Sequence, residues 1–266
     1  MNPSPIGIFD SGIGGLTVVR AVYERLPHES TVYFGDTARV PYGPKSPETV
    51  RRYSLEILDW LQRQGVKAVV VACNTSTAHA LETLQAHSSV PVIGVIEPGA
   101  QAALQATRNR HIGVIGTRAT IRSGAYEKAL RAADNDVRVS SRACPLLVPL
   151  IEEGLLNDDV TDRIIMRYLE PMLADEIDTL VLGCTHYPLL TNAIARAVKH
   201  RITLVDSAQN CARSVEETLD RQSLRVAPPN RGELHVALTD AADNFLNVAR
   251  DALQLSFGEI ELQPLP

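Results

Sequence analysis

Short runs of apolar residues recur along the chain, and each is followed by a stretch in which apolar residues have helical spacing. The runs lack the alternation of a half-exposed strand, so they indicate parallel strands covered by helices on both faces of a sheet. The predicted strands lie at Ile6–Phe9, Thr31–Phe34, Val66–Ala72, Pro91–Val95, Ile112–Ile115, Val137–Ser140, Thr179–Leu182, Ile202–Val205, Glu233–Leu238 and Glu259–Gln263. The predicted helices lie near Leu16–Leu26, Pro47–Gln64, Thr77–Ala86, Gly99–Thr107, Ile121–Ala133, Val160–Leu173, Leu189–Lys199 and Ala241–Leu253, with another from about Ala208. We therefore expect an α/β fold with mainly parallel sheets.

The same succession of strands and loops occurs twice. Ile6-Gly7 and Ile112-Gly113 are 106 residues apart, and Cys73 and Cys184, each behind an apolar run, are 111 residues apart. Two matches at nearly one offset indicate two similar halves. We expect two doubly wound domains related by a pseudo-twofold axis.

The predicted first domain comprises residues 1–96 together with 208–266, and the second comprises residues 97–207. The tail, which contains a linker at Arg225–Arg231, is expected to return to the first domain. The crossings near Gly94–Gly99 and Asp206–Asn210 would then form a hinge. Because ligands of open parallel sheets bind beyond the carboxyl ends of the strands, we expect the active site in the cleft between the domains.

Length and composition change this picture little. A chain of 266 residues is comfortable for two compact domains. The net charge of −5 argues against a broad basic surface for nucleic acid. Apolar runs such as Ala68–Cys73 are too short to cross a bilayer, and the N-terminus lacks the pattern of a secretory signal. We expect a cytoplasmic protein that makes no membrane or direct nucleic-acid contact.

The four cysteines, Cys73, Cys144, Cys184 and Cys211, are far apart and contain no C-x-x-C pair, so we expect free thiols rather than disulfides or a metal site. Cys73 and Cys184 each lie between a strand and a helix, whose N-terminus can lower the pKa of a thiol. A thiolate base and a thiol acid on opposite sides of one carbon would invert its configuration. Cys144 and Cys211 lack similar polar successors and are interpreted as structural.

A pyridoxal phosphate enzyme would acidify the same carbon through a lysine Schiff base. The chain has four lysines. Lys67, Lys128 and Lys199 are predicted to lie on the solvated surface. Lys45 lies in a loop, and the sequence leaves open whether it could form such a Schiff base. The sequence favours a mechanism without cofactor.

Polar residues follow the predicted strands at the edge that carries the two thiols. They supply donors for a carboxylate and acceptors for an ammonium group. These residues are Asp10, Ser11, Asn74, Thr75, Thr185 and His186. Asp10 and His186 could also act as relays that tune the neighbouring thiols.

Each of these residues also has a structural interpretation. Cys73 could be a small buried hydrophobic residue, Asp10 could cap the turn that follows it, and His186 could orient a loop. The glycine-rich turn Gly12–Gly15 lacks the full spacing of a phosphate loop, so it supports nucleotide binding only weakly.

Five motifs stand in order: Ile8–Gly15, Gly35-Asp36-Thr37, Pro41-Tyr42-Gly43, Ala72–Thr75 and Gly183–Pro188. In these motifs, and from about Ile6 to Asp206, the chain resembles the glutamate racemase family. The resemblance implies cofactor-independent interconversion of L- and D-glutamate, which supplies D-glutamate for bacterial peptidoglycan, and a homodimer. Some members of the family are associated with inhibition of DNA gyrase, so gyrase is a partner implied by resemblance alone.

The resemblance also implies roles for individual residues. Cys73 and Cys184 match the two catalytic thiols, Asp10 flanks the first, and His186 and Glu152 flank the second, although the adjacent Glu153 could replace Glu152. The implied substrate contacts are Asp10, Ser11, Tyr42, Gly43, Asn74, Thr75, Thr185 and His186, with Thr117 and Thr120 as lesser contributors.

Three other functions stay open. A related two-thiol racemase could act on aspartate, which is one methylene shorter, a difference worth about 1–3 kcal/mol in a pocket. A non-catalytic member could bind gyrase. A cysteine hydrolase could use Cys184 and His186, but it would leave Cys73 without a role.

Overall fold

The structure is a computed structural model that describes residues 2–226, 231–240, 254 and 260–265. Its strands are β1 (Ile6–Asp10), β2 (Thr31–Gly35), β3 (Ala68–Val71), β4 (Val92–Gly94), β5 (His111–Gly116), β6 (Arg138–Ala143), β7 (Thr179–Gly183), β8 (Thr203–Asp206), β9 (Leu234–Leu238) and β10 (Ile260–Leu262). Its helices are α1 (Leu16–Arg25), α2 (Pro47–Arg63), α3 (Asn74–His87), α4 (Ile96–Ala106), α5 (Arg118–Arg122), α6 (Ala125–Ala133), α7 (Leu147–Glu152), α8 (Asp159–Ala174), α9 (Thr191–Ala197) and α10 (Ser207–Arg221), with 3₁₀ helices at Thr37–Arg39 and Tyr187–Leu190. The predicted helix near Ala241–Leu253 and residues 227–230 of the predicted linker lie outside the described residues.

Every strand pairing among the described residues is parallel, and the strands form two sheets. The first sheet has the order β10-β9-β2-β1-β3-β4, and the second has the order β6-β5-β7-β8. The order β2-β1-β3-β4 in the first sheet corresponds to β6-β5-β7-β8 in the second, as the internal repeat predicts. The predicted α/β fold with parallel sheets is confirmed.

Alternate residues of β1 and β3 face opposite sides of the first sheet. Ile8 and Val70 pack in a core with α1 and α10, whereas Phe9 and Val71 pack in a core with α2 and α3. All four side chains are fully buried. Burial of an apolar side chain contributes roughly 1.5–3 kcal/mol, so both faces of the strand add to stability. This double burial explains the continuous apolar runs in the sequence.

The second sheet is covered in the same way. Ile112 and Val114 pack with α4 and α6 on one face, whereas Leu180 and Leu182 pack with α8 and α9 on the other. The helices therefore cover the faces of each sheet and not the carboxyl ends of its strands. At these ends, β3 and β7 lead into Cys73 and Cys184.

Two predicted helices are divided in the structure. The helix predicted over Ile121–Ala133 consists of α5 and α6, because Gly124 between them adopts a left-handed conformation with φ of 64°. The helix predicted over Leu189–Lys199 starts as a 3₁₀ turn and continues as α9. The six-residue helix α7 was not predicted, because fewer than two turns give no clear apolar period.

The prediction that Lys67 lies on the solvated surface is wrong. Lys67 is buried, and its Nζ donates to the carboxylate of Glu29 and to the backbone carbonyls of Asn2 (2.8 Å) and Leu224 (2.9 Å). A buried ammonium is tolerated when its hydrogen bonds are satisfied in this way. The lysine thus ties the start of the chain and the segment after α10 to the first sheet.

The strands β4 and β8 occupy equivalent edges of the two sheets. They are followed by α4 and α10, and these two helices pack together. The domain boundaries at residues 96–97 and 207–208 stay a prediction. None of the helices in the described ranges combines the length and the apolar character that a membrane span requires.

Candidate active site

A small cavity lies where the carboxyl ends of the two sheets meet. Its volume is about 20 Å³, which is close to the room that one water molecule needs, about 10–15 Å³. Both Cys73 and Cys184 line it, one from each sheet. The residues around it are Ser11, Val40, Pro41, Tyr42, Gly43, Cys73, Asn74, Thr75, Thr117, Val148, Cys184, Thr185 and His186.

Cys73 is the cap residue of α3, which begins three residues earlier than predicted. Its Sγ accepts a hydrogen bond from the backbone N–H of Ser76 (3.4 Å) and lies 3.8 Å from Oγ of Ser11. Burial, together with the charge of Asp10, nevertheless raises the pKa of the thiol to about 12. The hydrogen bond from the N-terminus of α3 lowers the pKa of Cys73, as expected, but desolvation outweighs it and the net shift is upward.

Asp10 is buried under the glycine-rich turn. Its Oδ2 accepts hydrogen bonds from the backbone N–H groups of Gly12 (3.2 Å) and Gly15 (3.0 Å), and its Oδ1 accepts one from the hydroxyl of Thr185 (3.2 Å). Burial raises the pKa of Asp10, while the charge of His186 and these hydrogen bonds oppose the rise. Asp10 thus caps the turn and also contributes negative charge beside Cys73, so the two interpretations are compatible.

Cys184 belongs to a row of three groups on the other side of the cavity. Its Sγ lies 4.0 Å from Nδ1 of His186, and Nε2 of His186 lies 3.2 Å from Oε1 of Glu152. Burial lowers the pKa of His186, but its hydrogen bonds to Cys184 and Glu152 and the negative charges of Cys184 and Asp10 raise it to about 10. Glu152, at the end of α7, makes this contact, whereas Glu153 is exposed.

Hydroxyl groups join the two halves at the rim of the cavity. Thr75 Oγ1 lies 2.9 Å from Thr117 Oγ1 and 3.2 Å from Thr120 Oγ1, and the latter two are 3.0 Å apart. The backbone N–H of Ala119 donates to the carbonyl of Gly43 at 3.1 Å. The bonds from Thr75 in α3 and from the Gly43 loop cross to α5 and the residue before it, and they join the two sides of the cleft.

The structure brings most of the predicted site residues to the cavity wall. Asp10, Glu152 and Thr120 lie one contact behind it, through Thr185, His186 and Thr75 respectively.

The sequence did not reveal which residue holds the side chain of Tyr42 in place. Its hydroxyl donates to the buried carboxylate of Asp36, which also accepts hydrogen bonds from Nε of Arg39 (2.8 and 3.0 Å) and the hydroxyl of Thr239 (3.0 Å). Burial and the Asp36 charge raise the pKa of Tyr42, so the phenol keeps its proton. The motif containing Asp36 was visible, but nothing in it indicated contact with Thr239, 203 residues further along the chain.

With this geometry established, comparison with known proteins shows what the chain is similar to. The model of the Asp/Glu/hydantoin racemase family matches residues 16–215. The chain is 50% identical over 255 residues to a glutamate racemase of Geobacter metallireducens, covering 96% of this chain and 94% of the relative.

Solved structures agree with the sequence comparison. Glutamate racemase isoform RacE1 from Bacillus anthracis matches with a TM-score of 0.95 and 39% identity, over 100% of this chain and 99% of that one. Glutamate racemase from Francisella tularensis in complex with D-glutamate matches with a TM-score of 0.91 and 34% identity, over 99% and 98%. An aspartate racemase homologue from Pyrococcus horikoshii shares the fold alone, with a TM-score of 0.54 and 19% identity over 80% of this chain and 98% of that one.

Proposed function

The chain belongs to the Asp/Glu/hydantoin racemase family, and from that premise we propose that it interconverts L- and D-glutamate without a cofactor, with Cys73 and Cys184 as the proton-transfer groups. It is an isomerase that acts on amino acids. The observation that carries the proposal is that two thiols from two parallel sheets line one cavity of about 20 Å³.

In the proposed reaction, the thiolate on one side takes the α-proton of glutamate, so that an S–H bond forms and the C–H bond breaks. The electron pair stays on the α-carbon, which becomes planar. The thiol on the other side then gives its proton to the opposite face of that carbon and becomes the thiolate. Enantiomers interconvert in this way, and the reverse reaction exchanges the roles of the two sulfur atoms.

The surroundings of the thiols support unlike resting states. With a pKa of about 10, His186 carries a proton at neutral pH, which places a positive charge 4.0 Å from the sulfur of Cys184. With a pKa of about 12, Cys73 remains a thiol. We propose that Cys184 is the base and Cys73 the acid when the first substrate binds, with Glu152 and Asp10 as the carboxylates that tune each side.

Substrate contacts follow from the cavity wall. The side chains of Ser11, Asn74 and Thr75 and the loop of Tyr42 and Gly43 offer donors to the carboxylates of glutamate, whereas the Thr185 hydroxyl, which donates to Asp10, can accept from the ammonium group. The cavity of about 20 Å³ is narrow for glutamate, and we propose that it widens at the contact between Thr75 and Thr117 when substrate enters.

Glutamate is favoured over aspartate because the full-length relatives at 46–50% identity are glutamate racemases, whereas the aspartate racemase homologue shares only the fold. The decisive assay measures D-glutamate from L-glutamate, and D-aspartate from L-aspartate, in the presence of EDTA and without added cofactor. Faster conversion of aspartate would overturn the substrate assignment. Loss of conversion after removal of a carbonyl-containing cofactor such as pyridoxal phosphate would overturn the cofactor-free mechanism.

We also propose that the product supplies peptidoglycan synthesis. Expression of the chain in a bacterial strain that requires D-glutamate should restore growth, and the matched variant Cys73→Ala should not. Growth restored equally by both would contradict the proposal.

The resemblance also implies a homodimer, which would sediment with about twice the chain mass of 29.0 kDa. Binding to DNA gyrase stays a prediction, and a pull-down assay would test it.

A further inference from the structure

Asn74 lines the cavity and uses only one end of its amide. Its side chain is 2% exposed, and its Oδ1 accepts a hydrogen bond of 2.7 Å from the hydroxyl of Tyr126. Its Nδ2 is buried and has no hydrogen-bond partner among the residues that the structure describes. A buried donor left without an acceptor is unfavourable by about 1–3 kcal/mol, so its retention beside a cavity indicates a ligand acceptor there.

Tyr126 lies behind the cavity, in contact with both halves of the site. It belongs to α6 and is 2% exposed. A Cβ placed on Gly183, the residue before Cys184, would lie 3.0 Å from the Tyr126 ring, so the ring packs directly against that backbone. Its hydroxyl reaches across to Asn74, the residue after Cys73. One side chain thus touches the neighbour of each thiol.

The hydroxyl of Tyr126 also lies at the two segments that cross between the halves. A Cβ placed on Gly99 would lie 3.4 Å from the tyrosine oxygen and 3.3 Å from Cβ of Ser207. Gly99 belongs to α4 and Ser207 begins α10. The absence of a side chain at Gly99 leaves the space in which this hydroxyl sits.

The direction of the hydrogen bonds follows from the partners. Burial raises the pKa of Tyr126, and the hydrogen bond from Ser207 opposes this rise. The Tyr126 hydroxyl donates its proton to Oδ1 of Asn74 at 2.7 Å. The carbonyl end of the Asn74 amide therefore faces Tyr126, and its NH₂ end faces away from it.

We infer that Tyr126 is a positioning residue that, together with Ser207, fixes the orientation of the Asn74 amide so that its NH₂ group faces the substrate and donates to a carboxylate oxygen of glutamate. The inference rests on the proposed function. It assigns to the junction between the two halves a direct influence on substrate binding.

The test is steady-state racemisation of both enantiomers by Tyr126→Phe. Without the hydroxyl, the amide is free to turn, so KM should rise about five- to tenfold for both enantiomers while kcat changes less than twofold, because a hydrogen bond that is equally strong in the bound substrate and in the transition state stabilises both alike. Tyr23→Phe is the matched control, since the Tyr23 hydroxyl contacts the carbonyl of Gly232 (3.4 Å) and does not line the cavity. Its KM should be that of the wild type.

A double-mutant cycle separates positioning from a general structural effect. In an Asn74→Ala background, Tyr126→Phe should raise KM less than twofold, because the amide through which it acts is absent. An equal rise in both backgrounds, or an unchanged KM in Tyr126→Phe, would overturn the inference while an active wild type preserves the proposed function. An inactive wild type would overturn both.

A second variant guards against misfolding of Tyr126→Phe. Ser207→Ala keeps the ring and removes the hydroxyl that forms a hydrogen bond with the Tyr126 phenol. Its KM should rise about two- to fivefold, as expected for loss of part of one hydrogen bond. Its melting temperature should equal that of the wild type. A wild-type KM in a folded Ser207→Ala protein would contradict the part assigned to Ser207 in orienting the Asn74 amide.

Discussion

The hydroxyl of Thr185 donates a hydrogen bond to Oδ1 of Asp10, with 3.2 Å between the two oxygens. Thr185 follows Cys184 at the end of β7, whereas Asp10 ends β1 in the other sheet. Both residues are buried. The bond therefore connects the surroundings of one thiol to those of the other, and a change of charge on one side of the cavity reaches the opposite side through a single contact.

Removal of either thiol should stop racemisation. Cys73→Ala and Cys184→Ala should each lower kcat by at least about 100-fold, because each variant lacks one of two required proton-transfer groups. Circular dichroism should show an unchanged fold. The control is Cys211→Ala, which removes a buried thiol of α10 that does not line the cavity, and which should retain racemisation. Substantial turnover by either site variant would rule out the two-thiol mechanism.

Solvent isotope incorporation should distinguish two proton-transfer groups from one. In heavy water, glutamate that has changed configuration should carry deuterium at the α-carbon, while unconverted substrate should carry little early in the reaction. The reason is that one sulfur removes the proton and the other delivers a deuteron. Mass spectrometry of the separated enantiomers measures this. Rapid deuteration with retained configuration would point to a single shared base.

Stability should depend on pH through His186. Its pKa is raised from 6.5 to about 10 in the folded state, so its contribution is complete below about pH 6.5 and is lost as the pH rises through about 10. Urea unfolding between pH 6.5 and 10 should show a steeper loss of unfolding free energy for wild type than for His186→Gln. The exposed His87→Gln variant should follow the wild type. Parallel curves for wild type and His186→Gln would contradict a charged His186.

Asp36 should matter for both stability and substrate binding. In Asp36→Asn, an NH₂ group replaces one of the buried oxygens that accept from Arg39, Tyr42 and Thr239, so the unfolding free energy should fall by about 1–3 kcal/mol. Because Tyr42 lines the cavity, KM for glutamate should rise as well.

The control for Asp36→Asn is Glu56→Gln, which also loses a charge beside Arg39 but is a quarter exposed at its side chain (25%). Its effect on unfolding free energy should stay within about 1 kcal/mol. Chemical denaturation and initial-rate kinetics measure the two quantities. Wild-type values for Asp36→Asn would show that Tyr42 does not depend on this carboxylate.

Much of the fold was predictable because burial on both faces leaves a local signature. Phe9 and Val71 belong to continuous apolar runs, and the repeated spacing of Cys73 and Cys184 indicates two halves. Local pattern could place the thiols at strand ends, because a strand and the loop after it are adjacent in sequence.

The remaining features depend on contacts that sequence spacing does not express. Tyr126 meets Asn74 across 52 residues, and the ordinary appearance of a tyrosine in an amphipathic helix gave no reason to single it out. The raised pKa of Cys73 also depends on contacts that sequence spacing does not express. Its helix position was recognised from sequence, but the depth of burial that reverses the effect of that position is a property of the assembled sheets.

The matching strand orders of the two sheets have a kinetic consequence. They present the sulfur atoms as geometric counterparts, yet an imidazolium stands beside one and a carboxylate beside the other. Mirror-image substrates have equal free energies in solution, so the ratio kcat/KM must be the same in both directions whatever the protein does. In the proposed two-thiol mechanism, the unlike surroundings of the two sulfur atoms can therefore appear only as unequal saturation. The two enantiomers should saturate the enzyme at different concentrations, with correspondingly different maximal velocities.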